Sequence, residues 1–467
     1  MAGDDSHSPG ATPRVCTYKA GHIYYMSIED IYRVFLRHPV VTTDSRHCPA
    51  GSLFVALRGT SFNGNAFAAD ALRQGCAYAV VDETASVPEG DSRYLVVADG
   101  LATLQDLARH HRQTLATPVI AVTGTNGKTT TKELIAAVLS KRHNVLYTLG
   151  NLNNHIGVPM TLLRLTPEHD IAVIEMGANH PGEIRTLVNI ADPDMGIITN
   201  VGRAHLEGFG SLEGVKRTKG ELYDYLAAKS DDSIIFINAD DADLWHMADD
   251  RGINHRLCYG TRAADALSVR GEVTGCDPFL SFRWHAADGT AGVVSSHLIG
   301  SYNLPNMLAA VTVGLRFGVT ADDITAALTD YVPSNNRSQL TITAYNRLIV
   351  DAYNANPTSM AAAINNFSTL QADNKMLILG DMGELGDDSA EEHLEVMRLL
   401  DKIAIPEVWL VGKAFRAAGR TLPVDGTRYF DSVDDVEAAI AADRPQGHTI
   451  LIKGSNATQL FRLPPLL

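Results

Sequence analysis

The chain has 467 residues, of which 45% are hydrophobic and 20% are charged. This composition is typical of packed globular proteins and excludes wholesale disorder, and the length predicts about three domains. The 39 basic and 54 acidic residues give a net charge of −15. Such a field repels nucleic acid and anionic lipid, so a phosphate ligand would need a local binding site. No apolar run reaches the roughly 18 residues that a membrane-spanning helix needs.

Two further features predict a cytoplasmic protein. The polar stretch 1–15 lacks the apolar centre of a signal peptide, and we expect it to be a disordered tail. The five scattered cysteines form no CxxC pair, which fits reduced thiols better than a disulfide framework or a zinc site. They are Cys16, Cys48, Cys76, Cys258 and Cys276.

The order of apolar runs predicts an α/β protein of three domains. Residues 1–115 show short strands and many turns and end in a helical stretch, which indicates a small N-terminal α/β domain. Over 116–333, buried-type runs alternate with helical patterns, which is typical of a parallel sheet with crossover helices. Its apolar runs are 119–124, 171–177, 196–201 and 233–238. In the helix that follows the first run, Leu134, Ile135, Val138 and Leu139 fall on one face.

The same alternation restarts after Pro333 and predicts a smaller, Rossmann-like domain over 334–467. The apolar runs there are 347–353, 376–382, 408–412 and 449–455, with a helical stretch at 391–403.

The sharpest local pattern lies between the first strand and the first helix of the central domain. It reads Gly124-Thr125-Asn126-Gly127-Lys128-Thr129-Thr130. Glycines let backbone amides turn toward a phosphate, the helix N-terminus adds positive charge, and a GKT sequence supplies a lysine for phosphate and a hydroxyl for magnesium. The loop is a shortened form, because Val122 occupies the place of the first glycine. A glycine-rich turn that only caps the helix is the alternative, and kinases, ATPases, GTPases and ligases all use such loops.

Two more residues suit magnesium chemistry. Glu175 ends the run IAVIE, one crossover after the loop, where a metal-binding carboxylate is expected. His205 follows the run GIITNV. Taken alone, Glu175 is equally well explained as a solvated loop carboxylate, and His205 is better explained as a structural or surface histidine.

Several motifs in a fixed order carry a resemblance. They are TGTNGKTT, EMGANHPGE, TNVGRAHLEGFGS, DAYNANPTS, LGDMGELG and IKGS, with TDSR and GSLFVALRG before them and GNLNN with Gly157 and Pro159 between. From about residue 40 to 455 the chain resembles the Mur ligases of peptidoglycan synthesis, most closely the type that adds D-alanyl-D-alanine to UDP-N-acetylmuramoyl-tripeptide.

The resemblance implies roles for individual residues. The catalytic set would be Lys128, Glu175, His205 and Lys219. ATP would contact Gly124, Thr125, Asn126, Gly127, Lys128, Thr129, Thr130, Asn303, Arg337 and Asp351. Two magnesium ions would bind Thr129, Glu175, His205 and Lys219, the lysine being carbamylated by carbon dioxide. The UDP end of the substrate would lie near Ser45 and Arg46, its muramoyl-peptide along Asn153 and Asn154, and the reacting groups near Tyr353, Asn354, Asn356 and Pro357.

The implied reaction passes through an acyl phosphate, and the implied enzyme is a cytoplasmic monomer. The chain departs from the usual motifs at Tyr302, where histidine is common, at Asn65, where histidine is frequent, and at Asn456, where arginine is frequent. Three alternatives stay open: a diamino-acid-adding Mur ligase, a folylpolyglutamate synthetase, and a catalytically silent nucleotide-binding regulator. The first usually carries an Asp-Asn-Pro-Arg loop, whereas this chain reads Asn354-Ala-Asn-Pro-Thr358. The second lacks an N-terminal domain like residues 40–110.

Overall fold

The computed structural model describes residues 25–467 except 231, 263–266, 334–338 and 404. The expected tail, Cys16 and Arg337 lie outside the described residues. The chain divides into two compact units. The first holds residues 25–119, 146–174 and 186–192, and the second holds 120–145, 175–185 and 193–467.

The helices and strands are as follows, in chain order. Up to residue 117 they are α1 (Ile28–Phe35), β1 (Val41–Thr42), β2 (Leu53–Val55), α2 (Ala68–Gln74), β3 (Tyr78–Val81), β4 (Tyr94–Val96) and α3 (Gly100–Leu115). Up to residue 333 they are β5 (Val119–Thr123), α4 (Lys128–Leu139), β6 (Val145–Tyr147), α5 (Gly157–Leu162), β7 (Ile171–Glu175), α6 (Glu183–Ala191), β8 (Met195–Ile198), α7 (Leu206–Phe209), α8 (Leu212–Lys229), β9 (Ile234–Asn238), α9 (Ala242–Asp249), β10 (Arg256–Gly260), β11 (Val269–Cys276), β12 (Phe279–Ala286), β13 (Ala291–Ile299), α10 (Leu304–Arg316) and α11 (Ala321–Asp330). From residue 339 they are β14 (Gln339–Ile342), β15 (Arg347–Asp351), α12 (Pro357–Thr369), β16 (Lys375–Gly380), α13 (Ser389–Ile403), β17 (Glu407–Val411), α14 (Lys413–Thr421), β18 (Thr427–Phe430), α15 (Val433–Ala442) and β19 (Thr449–Lys453).

The first unit contains a small parallel sheet in the order β1-β2-β3-β4. Side chains of β2, β3, β4 and α2 form its core, among them Phe54, Leu72, Val81 and Tyr94. Short strands joined by turns were expected here. The small α/β character of this region is confirmed.

The second unit contains a sheet in the order β13-β12-β11-β10-β9-β8-β5. Strands β5, β8, β9, β10 and β11 form parallel pairs in that order, whereas β12 pairs antiparallel with both β11 and β13. The parallel strands β5 and β8 are buried throughout, as expected for strands covered on both faces. The predicted apolar face of α4 is fully buried, and α4 contacts α10.

The C-terminal sheet, in the same unit, has the order β14-β15-β19-β16-β17-β18. All its pairs are parallel except β14 with β15. Buried side chains such as Met376, Trp409 and Ile452 form one core with α15. The predicted Rossmann-like alternation of strand and helix is confirmed, and because these strands are parallel, their carboxyl ends share one edge.

Among the described residues, no helix is both long and apolar enough to cross a membrane.

Candidate active site

The phosphate loop spans the gap between β5 and α4, as the sequence predicts. Gly124 (φ +141°) and Gly127 (φ +79°) both have backbone angles that side chains rarely adopt. A Cβ on Gly124 would collide with Thr199 Oγ1, and one on Gly127 would lie 2.7 Å from Asn306 Oδ1. The loop therefore requires glycine at both places, and its amides lead into the N-terminus of α4.

The segment after β8 fastens this loop. The Thr125 amide donates to the Asn200 carbonyl at 3.0 Å, and the Asn126 amide donates to Asn200 Oδ1 at 3.0 Å. Asn200 Nδ2 and Thr199 Oγ1 both donate to the Asn126 carbonyl, at 3.0 and 2.6 Å. Sequence reasoning missed Thr199 and Asn200, although their position at the end of a neighbouring parallel strand was a usable signal.

Lys128 is the first residue of α4, and its side chain curls back over the loop. Its Nζ donates to the carbonyls of Gly124 at 2.8 Å and Thr125 at 2.9 Å. The ammonium is thus held against the loop backbone at the N-terminus of α4, as expected for the lysine of a phosphate loop.

Two of the expected magnesium ligands contact each other. Thr129 Oγ1 donates to Glu175 Oε1 at 3.2 Å, and the Glu175 side chain is buried. Residues next to Glu175 hold the strand end, since the Met176 amide donates to the Val122 carbonyl at 2.8 Å. A hydroxyl and a carboxylate side by side are hard oxygen donors of the kind that Mg²⁺ prefers.

Lys219 on α8 is buried, with 2% of its surface exposed. Lysine is rarely buried unpaired, so the sequence alone would predict a solvated side chain at this position. Its Nζ donates to the Ala178 carbonyl at 3.3 Å and lies 5.3 Å from the centroid of the Phe209 ring. Burial, and then the charge of Lys128, hold the pKa of Lys219 well below its usual range.

His205 occupies a left-handed backbone position (φ 51°) just before α7. Its ring packs edge-on to Phe209, and its Nδ1 lies 2.5 Å from Glu384 Oε2. The contact with His205 lowers the pKa of the Glu384 carboxyl. In the part of the chain that the structure describes, no three His, Cys, Asp or Glu side chains gather as a ready metal site.

The C-terminal domain brings a second group of polar side chains to the loop. Asn356 Nδ2 donates to Asn126 Oδ1 at 2.7 Å, and Asn126 Nδ2 donates to Asn356 Oδ1 at 3.4 Å. Asp351 ends β15 and forms a 2.6 Å ion pair with Lys453. Between Asp351 and Asn356, Asn354 Oδ1 accepts a hydrogen bond from the Ala355 amide.

Asn303 lies before α10 and is buried. Its Nδ2 donates to the Ile299 carbonyl at 2.9 Å, and its Oδ1 accepts from Asn306 Nδ2 at 2.9 Å. Next to it is a cavity of about 540 Å³. Residues of the central and C-terminal domains line this cavity, among them Thr261, Tyr302, Leu304, Asn365, Asn366 and Thr369.

The expected UDP-site residues lie in the first unit. Arg46 is highly exposed, and its Nε and Nη2 donate to the two carboxylate oxygens of Asp44, each at 2.9 Å. Hydrogen bonds from Arg46 lower the pKa of Asp44 to about 2. The Ser45 carbonyl accepts from Gln74 Nε2 at 2.9 Å.

The two asparagines expected along the peptide path lie in the same unit, before α5. Asn154 Oδ1 accepts from the amides of Ile156 and Gly157 and so shapes the start of that helix. The Asn153 amide donates to the Asn151 carbonyl at 2.7 Å.

Family models match nearly the whole described chain. The Mur ligase family catalytic domain matches residues 39–112, the Mur ligase middle domain 122–314, and the glutamate ligase domain of Mur ligases 336–456. The UDP-N-acetylmuramoyl-tripeptide–D-alanyl-D-alanine ligase of Escherichia coli (strain K12) is 37% identical over 424 residues, which cover 90% of this chain and 91% of that protein. The chain belongs to the Mur ligase family. It is an ATP-dependent ligase with N-terminal, middle and C-terminal domains.

Other Mur ligases support the same membership. The ligase of the same name from Bacillus subtilis (strain 168) is 35% identical over 426 residues, which cover 90% of this chain and 91% of that one. The crystal structure of MurF from Acinetobacter baumannii matches with a TM-score of 0.81 at 33% identity and covers 91% of this Mur ligase and 92% of that chain. MurF from Thermotoga maritima, solved in complex with ADP, matches with a TM-score of 0.79 at 26% identity, covering 91% and 96%.

Proposed function

We propose that this Mur ligase uses ATP to join D-alanyl-D-alanine to UDP-N-acetylmuramoyl-tripeptide in peptidoglycan precursor synthesis. The observation that carries the proposal is the phosphate loop with Thr129 and Glu175 in contact beside it. The relatives that share this activity cover nine-tenths of the chain, which favours the same substrates. A monomeric, cytoplasmic enzyme stays a prediction from the sequence.

The chemistry explains why a phosphate site is needed. A carboxylate is a poor acceptor for an amine, because its leaving group would be oxide. Transfer of the γ-phosphate of ATP to the tripeptide carboxylate makes an acyl phosphate, whose leaving group is phosphate. The amine of the dipeptide then attacks the acyl carbon and loses a proton. The resulting tetrahedral species expels phosphate as the amide forms.

Lys128 and the loop amides are suited to the phosphates. Residues Gly124 to Thr130 would surround the β- and γ-phosphates, with Lys128 supplying a point charge. Asn303 and Asp351 would contact the nucleoside, and Arg337 is proposed for the same role from the sequence alone. The cavity beside Asn303 and Tyr302 supports a base-binding place there, because it is lined by amide side chains and one aromatic ring.

The residues present fit a first magnesium ion. Thr129 and Glu175 would hold it, since their oxygens already lie together and are the hard donors that this ion prefers. When bound, such an ion neutralises charge on the phosphates. His205 and Lys219 are proposed for a second ion. An amine is not an oxygen donor, so Lys219 fits this role only after carbon dioxide converts it to a carbamate.

The surroundings of Lys219 support that modification. Carbon dioxide reacts with a neutral amine, and an ordinary lysine offers little of it near pH 7. Burial beside Phe209 and Ala178 lowers the pKa of Lys219, so a larger fraction of the amine is neutral at that pH.

The substrate residues remain proposals. Ser45 and Arg46 would hold the uridine diphosphate, and Asn153 and Asn154 would line the muramoyl-peptide. Tyr353, Asn354 and Asn356 would lie near the reacting carboxylate and amine, because their loop adjoins Asn126 of the phosphate loop.

Phosphate release tests the proposal. Purified enzyme with ATP and magnesium should release phosphate only when UDP-N-acetylmuramoyl-tripeptide and D-alanyl-D-alanine are both present. The assay is run with two tripeptides, one that ends in lysine and one that ends in diaminopimelate. Parallel reactions offer UDP-N-acetylmuramoyl-dipeptide with a diamino acid, and a folate with glutamate. Phosphate release in one of these, and none with the dipeptide, would reassign the enzyme to another ligase type. Nucleotide binding without release in any reaction would favour the silent regulator.

A further inference from the structure

Lys453 is a buried cation at the end of an otherwise apolar strand. Its side chain is 1% exposed, whereas Ile450, Leu451 and Ile452 before it are core residues. Its Nζ lies 2.6 Å from Asp351 Oδ2 and 3.3 Å from the carbonyl of Asn354. Asp351 and Lys453 are opposite each other in the register of β15 and β19, so their side chains meet at the carboxyl edge of the C-terminal sheet.

Core stability alone gives little reason for a charge at this place. Lysine is almost never fully buried unless it is paired, and an apolar pair of similar volume is often as stable as a buried ion pair or more stable. The role of Lys453 is therefore to be sought in the groups that it contacts. Both of its hydrogen-bond acceptors belong to the segment 351–354, with which the chain leaves β15.

That segment leads directly to the phosphate loop. Two residues after Asn354, Asn356 caps α12 and exchanges two side-chain hydrogen bonds with Asn126. A displacement of the loop 352–356 would consequently move both Asp351 and the partner of Asn126.

We propose that Lys453 is a positioning residue for the nucleotide site. It holds the Asp351 carboxylate and the Asn354 carbonyl in place, and it cancels the charge of Asp351. The carboxylate can then accept a hydrogen bond from a nucleoside hydroxyl without adding an uncompensated anion beside the triphosphate. This role rests on the proposed function of Asp351 in ATP binding and adds Lys453 to it.

Lys453→Met tests the positioning, with Lys375→Met as a matched control. Lys375 is the first residue of β16 and so lies at the amino ends of the strands, away from Lys453, which is the last residue of β19. Its Nζ donates to the Ser368 carbonyl at 2.7 Å. Without nucleotide, Lys453→Met should speed hydrogen–deuterium exchange in residues 352–359, and Lys375→Met should leave it unchanged. The KM for ATP should rise about tenfold, the loss of one charge-assisted contact, while kcat and the KM for the dipeptide stay within about twofold.

The double variant Asp351→Asn/Lys453→Met tests whether Lys453 acts through Asp351. An amide needs no cation, so adding Lys453→Met to Asp351→Asn should raise the KM for ATP by no more than about twofold, the part that reflects the Asn354 carbonyl. This comparison also replaces Lys453→Met if the unpaired Asp351 carboxylate prevents that variant from folding. Independent, additive rises in KM would overturn the proposal, and so would unchanged exchange in 352–359.

The two readouts separate the proposals. If the wild type binds no ATP, the proposed function fails, whereas the exchange experiment still decides whether Lys453 holds the loop.

Discussion

At the scale of single residues, Lys219 shows how burial changes the chemistry of an amine. Lys219→Ala should abolish ligation, because an alanine can neither become a carbamate nor supply oxygen ligands. Short carboxylic acids such as acetate should partly restore phosphate release in this variant by entering the space left by the side chain. Removal of bicarbonate should slow the wild-type enzyme and leave the KM for the UDP substrate unchanged.

Lys216 is the control for Lys219, since it lies on the same helix but bonds Glu213 at 3.0 Å and Asp243 at 2.8 Å. Lys216→Ala should keep ligation and show no response to acetate. Full activity of Lys219→Ala would mean that the buried lysine is structural and that the second metal site needs other ligands.

Arg46 allows a second test at this scale, because the chain contains Asp-Ser-Arg twice. In Asp91-Ser92-Arg93, the arginine Nε and Nη2 also donate to both oxygens of the aspartate, at 2.9 and 2.6 Å. The hydrogen-bonded turn alone thus gives no evidence of a binding site. Only the resemblance distinguishes 44–46, so each arginine serves as the other's control.

Arg46→Ala should raise the KM for the UDP substrate about tenfold with little change in the KM for ATP, because a contact far from the reacting atoms contributes binding alone. Arg93→Ala should change neither constant. Steady-state phosphate release with each substrate varied in turn gives both values. Equal effects of the two variants would assign Arg46 to the turn.

At the scale of elements, the most apolar parallel strands could be predicted from the sequence, whereas β11 to β14, which form antiparallel pairs, were missed, as were the parallel strands β10 and β18. Buried parallel strands such as β5 and β8 are continuous apolar runs, which are easily recognised. Most of β11 is exposed, and in β12 and β13 buried positions alternate with less buried ones, so the apolar signal is diluted by residues such as Arg283 and Ser295. Pairs distant in sequence, including Asp351 with Lys453, could not be foreseen, because nothing local fixes which strands become neighbours.

Asn356 combines two roles in one element, since it caps α12 and bonds Asn126. Ser432 forms the same kind of capping box at the start of α15, with Asp435 as its partner. Both Asn356→Ala and Ser432→Ala should lower the free energy of unfolding by about 1 kcal/mol, the usual cost of an N-cap.

Only Asn356→Ala should also raise the KM for ATP, because only that cap bonds the phosphate loop. Urea unfolding and phosphate release measured on the same preparations separate the two effects. Equal KM values for the two variants would show that the link between Asn356 and Asn126 does not act on the nucleotide.

At the scale of the whole molecule, polar contacts link the central and C-terminal domains within the second unit. One is the ion pair between Arg203 and Glu392, 2.5 Å apart. Glu392 is buried on α13, and Arg203 belongs to the segment after β8 that also holds the phosphate loop. Its hydrogen bond to Glu392 raises the pKa of Arg203.

Arg203→Met should lower the free energy of unfolding by about 1 kcal/mol, because it leaves the buried Glu392 carboxylate without its cation. The loss stays small because Arg203 is exposed, and an ion pair with an exposed partner contributes little to stability. The KM for ATP should rise severalfold, because the C-terminal domain that carries Asp351 and Asn356 is held less firmly to the loop. Arg398→Met is the control, since Arg398 pairs with Glu391 along the surface of the same helix. Adding Glu392→Gln to Arg203→Met should restore most of the lost stability, because the amide can be buried without a cation. If Arg398→Met raises the KM for ATP as much as Arg203→Met, the effect belongs to α13 itself and the contact between the two domains is not what positions the nucleotide.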